Sequence, residues 1–490
     1  MKIKNIFIGI ILTGGLLFAA CNSKRLDTVP QDSVIDATAF STSDRIYAQL
    51  LSLYSSLKSG QLYGGRAVIY GDIKADQFIN QTNNSVTGYD VWTGTATNSS
   101  TSIENLWAQA YLTINKCNIF IQGVDSLGTG IVTTDEASQY IAEAKFIRAL
   151  CYSKLLEYYA YPYAYGSGGG SNLGVPLRLT AIVGGGYSDL ARSTVAEVYT
   201  QILSDLDDAE SDLPTSYSSD YDNTTRAHMN TAIALKTRIY LNMQDYANVV
   251  TEANKIVSDA APFAASSGVA NTLESSISTV FASPYTSLES IFSMPMTTTS
   301  GDYPGTQAAL AYYFSKSVGN GEFSVNTSGI YADATWTSTD DRRDFIVSYT
   351  SGSSTTYWLS KYPTASPYTD YVPVIRYSEV LLNLSEALVR STSSITTRAV
   401  ALLNAVRNRS DASTTYTTSS FSSTSTLIEA ILKERTIEFL GEGMRNGDLM
   451  RLVQTIPAKG AVGTIAAGAS NYIWPIPATE LSLNKLAVDN

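Results

Sequence analysis

The chain has 490 residues, of which 44% are hydrophobic and only 16% are charged. Its 33 Lys and Arg residues are outnumbered by 44 Asp and Glu residues, and the formal net charge is -11. This balance argues against nucleic acid or an anionic lipid face as the main partner, and the length is ample for a large hydrophobic core.

The N-terminus has the order of an export signal. Two lysines form a positive start, residues 6–18 are mostly apolar, and small residues precede Cys21. So short a run does not comfortably span a bilayer, which needs about 20 apolar residues. Residues 17–21 resemble a lipobox, with Phe18 where leucine is commoner. We therefore expect residues 1–20 to be a signal peptide and Cys21 to carry a lipid anchor to a membrane. The alternative is an ordinary secretory signal with an incidental cysteine.

The number and spacing of the cysteines bear on disulfides and metal sites. Cys117 and Cys151 lie inside helical patterns and form either two buried thiols, which we favour, or one disulfide. The sequence contains no Cys-x-x-Cys, which argues against a thiolate metal site. We expect no cofactor and no metal, although the acidic loop at Asp72 and Asp76 leaves a cation open. The 32 Tyr, with loops rich in Ser, Thr and Asn, suit an exported surface that meets neutral polar ligands.

Apolar residues spaced three or four apart predict long amphipathic helices in the first half of the chain. In order, these helices cover residues 43–57, 102–124, 135–160 and 194–213. Ser193, followed by Thr194 and Glu197, is a capping arrangement for the last of them. Two further helices, 228–243 and 245–257, are clearly separated only by Gln244, which predicts an antiparallel helical hairpin.

The pattern changes after residue 260, where Gly, Ser, Thr, Pro and Tyr dominate as far as residue 371. We expect a large irregular insertion with short strands at 290–294 and 345–349, and its aromatic content argues against simple disorder. Helical periodicity resumes over 377–389 and 396–409, which predicts another hairpin. A last helix follows over 426–440, with Gly441 near its C-terminal cap.

A charged motif near the C-terminus has two interpretations. Its residues are Glu434, Arg435 and Glu438, followed by Arg445, Asp448 and Arg451. A pair of carboxylates can hydrolyse glycosides, which makes a surface glycosidase one alternative. Carboxylates that alternate with arginines on a helix usually form ion pairs, and we adopt this interpretation. We predict no catalytic residue, because His228 is the only histidine and the sequence has neither Gly-x-Ser-x-Gly nor a phosphate-binding loop.

Aromatic residues in polar loops are the best sequence signal for a sugar-binding surface, since flat rings pack on a pyranose while polar groups bond its hydroxyls. The predicted ligand-binding residues are Trp92, Trp336, Asp76, Tyr89, Tyr303 and Tyr70. Trp92 and Trp336 lead because both lie in loops of Thr, Asp and small residues, whereas Trp107 and Trp474 fit structural positions. Burial of both leading tryptophans away from any common face would favour a purely structural surface protein.

Several separated motifs complete the pattern. They are LDTVPQD at 26–32, EAKFIRA at 143–149, VPL at 175–177, RYSEVLL at 376–382, ERTIEF at 434–439, EGMRNGDLMRL at 442–452 and PIP at 475–477. Together with the lipobox, these motifs resemble the SusD/RagB family of nutrient-binding outer-membrane lipoproteins. They stand in the family's order and cover nearly the whole mature chain.

The resemblance implies a mainly α fold of tetratricopeptide-like helical hairpins with a large irregular, loop-rich ligand-binding region. Residues 21–490 would form a single unit, with a helical scaffold over about 40–259 and 376–456 and the insertion over about 260–375. The implied function is to bind oligosaccharides at the cell surface and deliver them to a SusC-like TonB-dependent transporter, on which the protein acts as a lid. Members resembling RagB are associated with peptide uptake, so a peptide ligand is the alternative within this architecture.

Overall fold

The computed structural model describes residues 36–127, 130–184 and 188–490. The predicted signal peptide, Cys21 and the motif at 26–32 lie outside the described residues, so these assignments stay predictions. The chain divides into two compact units, Met1–Ala48 and Gln49–Asn490. The described part of the first unit holds α1 (Asp36–Ala39) and the beginning of α2 (Ser43–Leu57).

Helices form most of the second unit, as the apolar periodicity predicts. After α2 they are α3 (Arg66–Ile73), α4 (Tyr89–Thr93), α5 (Thr101–Asp125), α6 (Thr134–Tyr159), α7 (Val195–Asp212), α8 (Asp220–Thr225), α9 (Met229–Asn242), α10 (Tyr246–Ala253), α11 (Ile277–Val280), α12 (Leu310–Phe314), α13 (Tyr377–Thr392), α14 (Thr397–Ser410), α15 (Thr424–Glu438), α16 (Arg445–Arg451) and α17 (Ala478–Leu483). The predicted helices are all present, and their ends differ from the prediction by a few residues. The mainly helical fold class is therefore confirmed.

Neighbouring helices pack in succession along the chain. Helix α5 packs on α6, α6 on α7, α9 on α10 and α13 on α14, and α10 also packs on α13. These contacts form the predicted helical hairpins. The N-terminal cap of α7 is Thr194 rather than Ser193, because Thr194 stands three residues ahead of Glu197 and the two exchange side-chain and backbone hydrogen bonds. Cys117 and Cys151 are buried free thiols, as favoured.

The strands are short and pair in twos. They are β1 (Phe78–Asn80), β2 (Leu173–Pro176), β3 (Arg192–Thr194), β4 (Ser290–Met294), β5 (Phe323–Val325), β6 (Ile346–Ser351), β7 (Ser354–Leu359) and β8 (Val372–Arg376). The antiparallel pairs are β1–β5, β2–β3, β4–β8 and β6–β7. The pair β1–β5 joins the insertion to the segment that follows α3, whereas β4–β8 lies within the insertion and β8 leads directly into α13. Within the described ranges, no helix combines the length and hydrophobicity needed to cross a membrane.

A close approach of two backbones fixes α3 against the turn that precedes α16. Gly443 has a φ of +76°, and a Cβ added to it would lie 2.4 Å from the carbonyl oxygen of Val68. A Cβ added to Gly71 would lie 2.2 Å from the carbonyl oxygen of Gly443. Both positions therefore require glycine, which explains part of the motif at 442–452 by packing alone.

We expect Gly71→Ala to lower the free energy of unfolding by about 2 kcal/mol or more. A methyl group in this contact pushes two backbones apart, which outweighs the roughly 1 kcal/mol by which alanine is favoured inside a helix. Gly447→Ala is the matched control, because a Cβ there would be 3.8 Å from its nearest neighbour, the Glu157 side chain. Urea denaturation compares the two variants, and equal stabilities would show that the contact at Gly71 can relax.

Candidate functional site

The charged C-terminal motif belongs to a buried ion-pair network. Glu438 is fully buried and pairs with Arg342, Arg376 and Arg409 at N–O distances of 3.0, 2.8 and 2.6 Å. Burial alone would raise the pKa of Glu438, but the three arginines hold it well below its usual range. Glu434 pairs with Arg342 in the same way. These glutamates are structural partners of arginines, and neither is presented to solvent as an acid or base.

His228 is fully buried directly ahead of α9, where its Nε2 lies 3.3 Å from the carbonyl oxygen of Ile291. Burial lowers the pKa of His228 to about 4. The side chain is thus a neutral part of the core, and it does not face a cleft where it could serve a hydrolytic triad.

The titration of His228 predicts a loss of stability in mild acid. Between pH 6.5, the ordinary histidine pKa, and about pH 4, the unfolded chain binds a proton that the folded chain excludes. The contribution of His228 is therefore complete above pH 6.5 and is lost as the pH falls towards 4. Over this window we expect the wild type to lose about 3 kcal/mol more than His228→Gln. Urea denaturation at pH 7, 5.5 and 4 measures the difference, and parallel stability curves would contradict it.

The two acidic residues considered for a cation, Asp72 at the end of α3 and Asp76 just after it, each accept hydrogen bonds from protein groups. The Asp72 carboxylate is buried and accepts a hydrogen bond of 2.8 Å from the backbone N–H of Gly443. The Asp76 carboxylate instead accepts two hydrogen bonds from the Arg445 guanidinium, at 2.8 and 3.2 Å. Across the part of the chain that the structure describes, no three His, Cys, Asp or Glu residues cluster as metal ligands.

Both leading tryptophans are buried, so the prediction that their rings are exposed is wrong. Trp92 is 6% exposed, and its Nε1 donates to the carbonyl oxygen of Phe78 at 2.8 Å. Trp336 is 2% exposed, and the Arg343 guanidinium lies over its ring at 4.6 Å from the centroid. Tyr89 and Lys459 lie against the ring of Trp92, and Tyr331 and Arg343 lie against the ring of Trp336. Neither can stack on a sugar in this conformation, so these two residues alone favour the structural alternative, and a glycan site would have to use other aromatic residues.

The remaining predicted residues have different surroundings. Tyr70 is fully buried and packs edge-on against Trp474, so it is also a core residue. Tyr89 is half-buried, and its ring lies 6.1 Å from that of Trp92. Tyr303 is half-buried in the loop after β4. Trp474 and Trp107 are buried, as expected of structural residues.

A second group of aromatic residues, which we call the tyrosine face, consists of Tyr221, Tyr285 and Tyr371. The rings of Tyr285 and Tyr371 are stacked, with centroids 4.9 Å apart and planes inclined by 23°. Both residues are half-buried, and Tyr221 is 48% exposed. The tyrosine face therefore presents flat aromatic surface that the protein core does not cover.

The pairing of β4 with β8 explains how these residues meet. Tyr285 lies in the loop before β4, and Tyr371 immediately precedes β8. Helix α8, which carries Tyr221, packs on β4. The antiparallel β4–β8 pair thus brings three separate stretches of sequence to one place.

Polar groups surround the stacked rings. The Tyr285 hydroxyl donates to Asp370 at 3.0 Å and lies 3.3 Å from the Thr364 hydroxyl. Burial raises the pKa of Tyr371 to about 12, and the negative charge of the nearby Asp302 carboxylate acts in the same direction. The Tyr371 phenol is therefore neutral at physiological pH. Neutral hydroxyls and carboxylates beside flat rings can bond to the hydroxyl groups of a ligand while the rings contact its apolar face.

Sequence reasoning missed all three tyrosines of this face, and Tyr303 stays a predicted ligand contact. One signal was available: the tripeptide Ser-Pro-Tyr occurs at 283–285 and again at 366–368, in a stretch rich in tyrosine. Tryptophan in a polar loop is the stronger sequence signal, and one tyrosine among 32 carries little weight alone.

Comparisons with known proteins decide the family. A model of the SusD family matches residues 207–490, more than half of the chain. The chain belongs to the SusD family. A second family model, described as starch-binding associating with outer membrane, matches residues 26–241. The resemblance of the sequence motifs is thereby confirmed.

Solved SusD-family structures share the fold over nearly the whole chain. A SusD superfamily protein from Bacteroides fragilis has a TM-score of 0.80 and 33% identity, covering 91% of this chain and 99% of that one. Surface glycan-binding protein A from Bacteroides thetaiotaomicron, in complex with laminarihexaose, has a TM-score of 0.71 and 19% identity, covering 92% and 99%. The SusD-like protein P38 of Formosa agariphila is 27% identical over 251 residues, which are 50% of this chain but only 44% of that relative.

Proposed function

We propose that this SusD-family chain is a non-catalytic surface lipoprotein that binds oligosaccharides and delivers them to a SusC-like TonB-dependent transporter as its lid. Family membership supports a carbohydrate ligand, as does the structural similarity to a protein solved with laminarihexaose. The observation that carries the proposal is the stacked, half-buried Tyr285–Tyr371 pair of the tyrosine face. Lipid on Cys21 would hold the protein at the outer membrane.

The tyrosine face has the two properties that saccharide binding needs. Its rings offer large contact area at low entropic cost to the C–H face of a pyranose. Asp370 and Asp302 supply acceptors for sugar hydroxyls, and Thr297 and Thr364 bond to these carboxylates at 2.7 Å. Tyr89 stays a predicted further contact, because its ring is partly exposed above Trp92.

A glycan array probed with the purified mature chain tests the ligand class. We expect at least one neutral oligosaccharide class to bind, and we expect chromatography of the recovered glycan to show unchanged chain length. Binding of a peptide library without any glycan would favour the peptide alternative. Shortened products would instead show that the chain is a glycosidase.

The anchor and the transporter need a separate test in the native membrane. Metabolic labelling with palmitate should mark the wild type and not Cys21→Ser. Affinity capture from outer membranes solubilised in mild detergents should recover a barrel transporter with the wild-type protein. Recovery of the chain alone, across several mild detergents, would contradict its role as a lid.

A further inference from the structure

We infer that two copies of this chain associate through an apolar surface that lies outside the tyrosine face. Seven exposed aliphatic side chains form this surface, which we call the aliphatic patch. They are Leu112, Leu173, Leu179, Val183, Leu483, Leu486 and Val488, and each is between 38% and 74% exposed. They make up half of the fourteen large hydrophobic side chains that are exposed in the part of the chain that the structure describes. Because large aliphatic residues are usually buried, such a group points to an interface.

Hydrogen bonds hold the stretches that carry the aliphatic patch side by side. The loop that follows β2 lies on α5, where the Asn115 side chain bonds to the backbone N–H and carbonyl oxygen of Ile182 at 2.8 and 2.9 Å. The Arg192 guanidinium donates to the carbonyl oxygen of Leu173 at 3.2 Å and to that of Val488 at 3.1 Å. The first of these acceptors is on β2 and the second is in the C-terminal tail. Helix α5, the β2 loop and the tail are therefore neighbours at one surface.

The aliphatic patch is large enough for a specific contact between two copies. Seven Leu and Val side chains that are about half exposed present on the order of 600 Å² of apolar surface, as much as the largest patch on most monomeric proteins. If the patch of one copy covers the patch of the other, the contact buries about 1,200 Å² in total, which is the lower bound for specific interfaces. Such a twofold contact closes at two copies. We therefore expect a dimer and not a longer assembly.

The charges around the aliphatic patch are balanced, unlike those of the chain as a whole. Residues 112–118, 173–191 and 478–490 contain three bases, Lys116, Arg178 and Lys485, and three acids, Asp189, Glu480 and Asp489. The full chain has 44 acidic and only 33 basic residues, so its acidic surplus makes two copies repel each other. Around the patch this surplus is absent, and both signs are present to meet their opposites across a twofold axis. The balance favours a second copy as the occupant.

A lipid surface fits the aliphatic patch less well than a second copy does. Protein surfaces that lie in a membrane interface combine Trp or Phe side chains with a surplus of Lys and Arg. The seven side chains of the patch are all Leu or Val, and the surrounding acids are as numerous as the bases. Anionic lipid headgroups repel acidic side chains. The composition therefore matches an apolar protein surface.

Sedimentation equilibrium of the full mature chain, purified without its lipid, tests the dimer. We expect a reversible monomer–dimer equilibrium with a Kd in the micromolar range, since an interface of this size gives modest affinity. Leu486→Glu in the tail and Leu112→Glu on α5 place a charge on two different elements of the patch. Each should raise the Kd about a hundredfold, because a twofold contact contains every substitution twice. Val347→Glu puts the same charge on an exposed residue of β6 and should leave the dimer unchanged.

A monomer at every concentration would overturn the inference, as would equal effects of Leu486→Glu and Val347→Glu. Thermal melting shows whether each variant is folded, and Leu112→Glu remains informative if Leu486→Glu unfolds.

A photo-crosslinking amino acid in place of Leu486 identifies what covers the aliphatic patch on the full chain in its native membrane. We expect cross-links to a second copy of the chain. Cross-links that join this position only to lipid, or only to a barrel transporter, would overturn the inference.

Discussion

Replacing Arg376 by methionine is expected to lower the free energy of unfolding by about 3–5 kcal/mol. The guanidinium of Arg376 is buried and pairs with Glu289, Glu438 and Glu442 at the same time. Methionine keeps much of the side-chain volume but removes the charge that the three carboxylates share. Glu289, Glu438 and Glu442 keep Arg409, Arg342 and Lys361 as partners, but the buried network loses one positive charge. The cost is large because these carboxylates cannot recover from the interior the solvation they had in water.

Urea denaturation at pH 7 measures this loss against a matched surface variant. Lys145 pairs with Asp208 at 2.6 Å, but the Asp208 side chain is 52% exposed. Lys145→Met should therefore change stability by about 0.5 kcal/mol or less. Similar effects from the two variants would mean that the buried network does not hold α13 and α15 in place.

Replacing Tyr371 or Tyr285 by alanine is expected to weaken oligosaccharide binding by about 2 kcal/mol, roughly thirtyfold in Kd. Each variant removes one of two stacked rings, and the remaining ring loses the neighbour that orients it. Tyr371→Phe keeps the ring and should retain most of the affinity. The difference between Tyr371→Ala and Tyr371→Phe separates stacking from the hydrogen bonds of the hydroxyl.

Tyr349 provides the matched control for these variants. It is 36% exposed and lies on β6, outside the tyrosine face. Tyr349→Ala should bind the oligosaccharide as the wild type does in titration calorimetry. Unaltered binding by Tyr285→Ala and Tyr371→Ala, or an equal loss of binding by Tyr349→Ala, would show that the glycan does not bind at the tyrosine face.

The helices could be predicted because their signals are local. Apolar residues at three- and four-residue spacing define each buried helix face before any tertiary contact forms. The cap of α7 was predicted at Ser193, one residue too early, because serine and threonine are both common helix caps. Only the position of Glu197 selects Thr194.

The charged motif was predicted to form ion pairs, and some of these ion pairs join two residues of the motif itself. Arg435 and Arg451 both pair with Asp448, as spacing along the chain suggests. Glu438 draws its partners from elsewhere, including Arg409 at the end of α14. Local spacing shows that such carboxylates need cations but does not show which distant arginines supply them.

The exposure of loop aromatics could not be predicted because distant residues decide it. Trp92 is covered by Lys459, whose ammonium lies 5.9 Å from the ring centroid. The tyrosine face could not be predicted for the same reason. Tyr285 and Tyr371 meet only after β4 pairs with β8, and no local pattern encodes that pairing.

A crystal structure of the mature chain with an oligosaccharide identified on the glycan array is the most direct test of glycan binding by the tyrosine face. We expect a sugar ring stacked on the Tyr285–Tyr371 pair, with its hydroxyls within hydrogen-bond distance of Asp370 or Asp302. A sugar bound at another surface, with the tyrosine face empty, would contradict the proposed site.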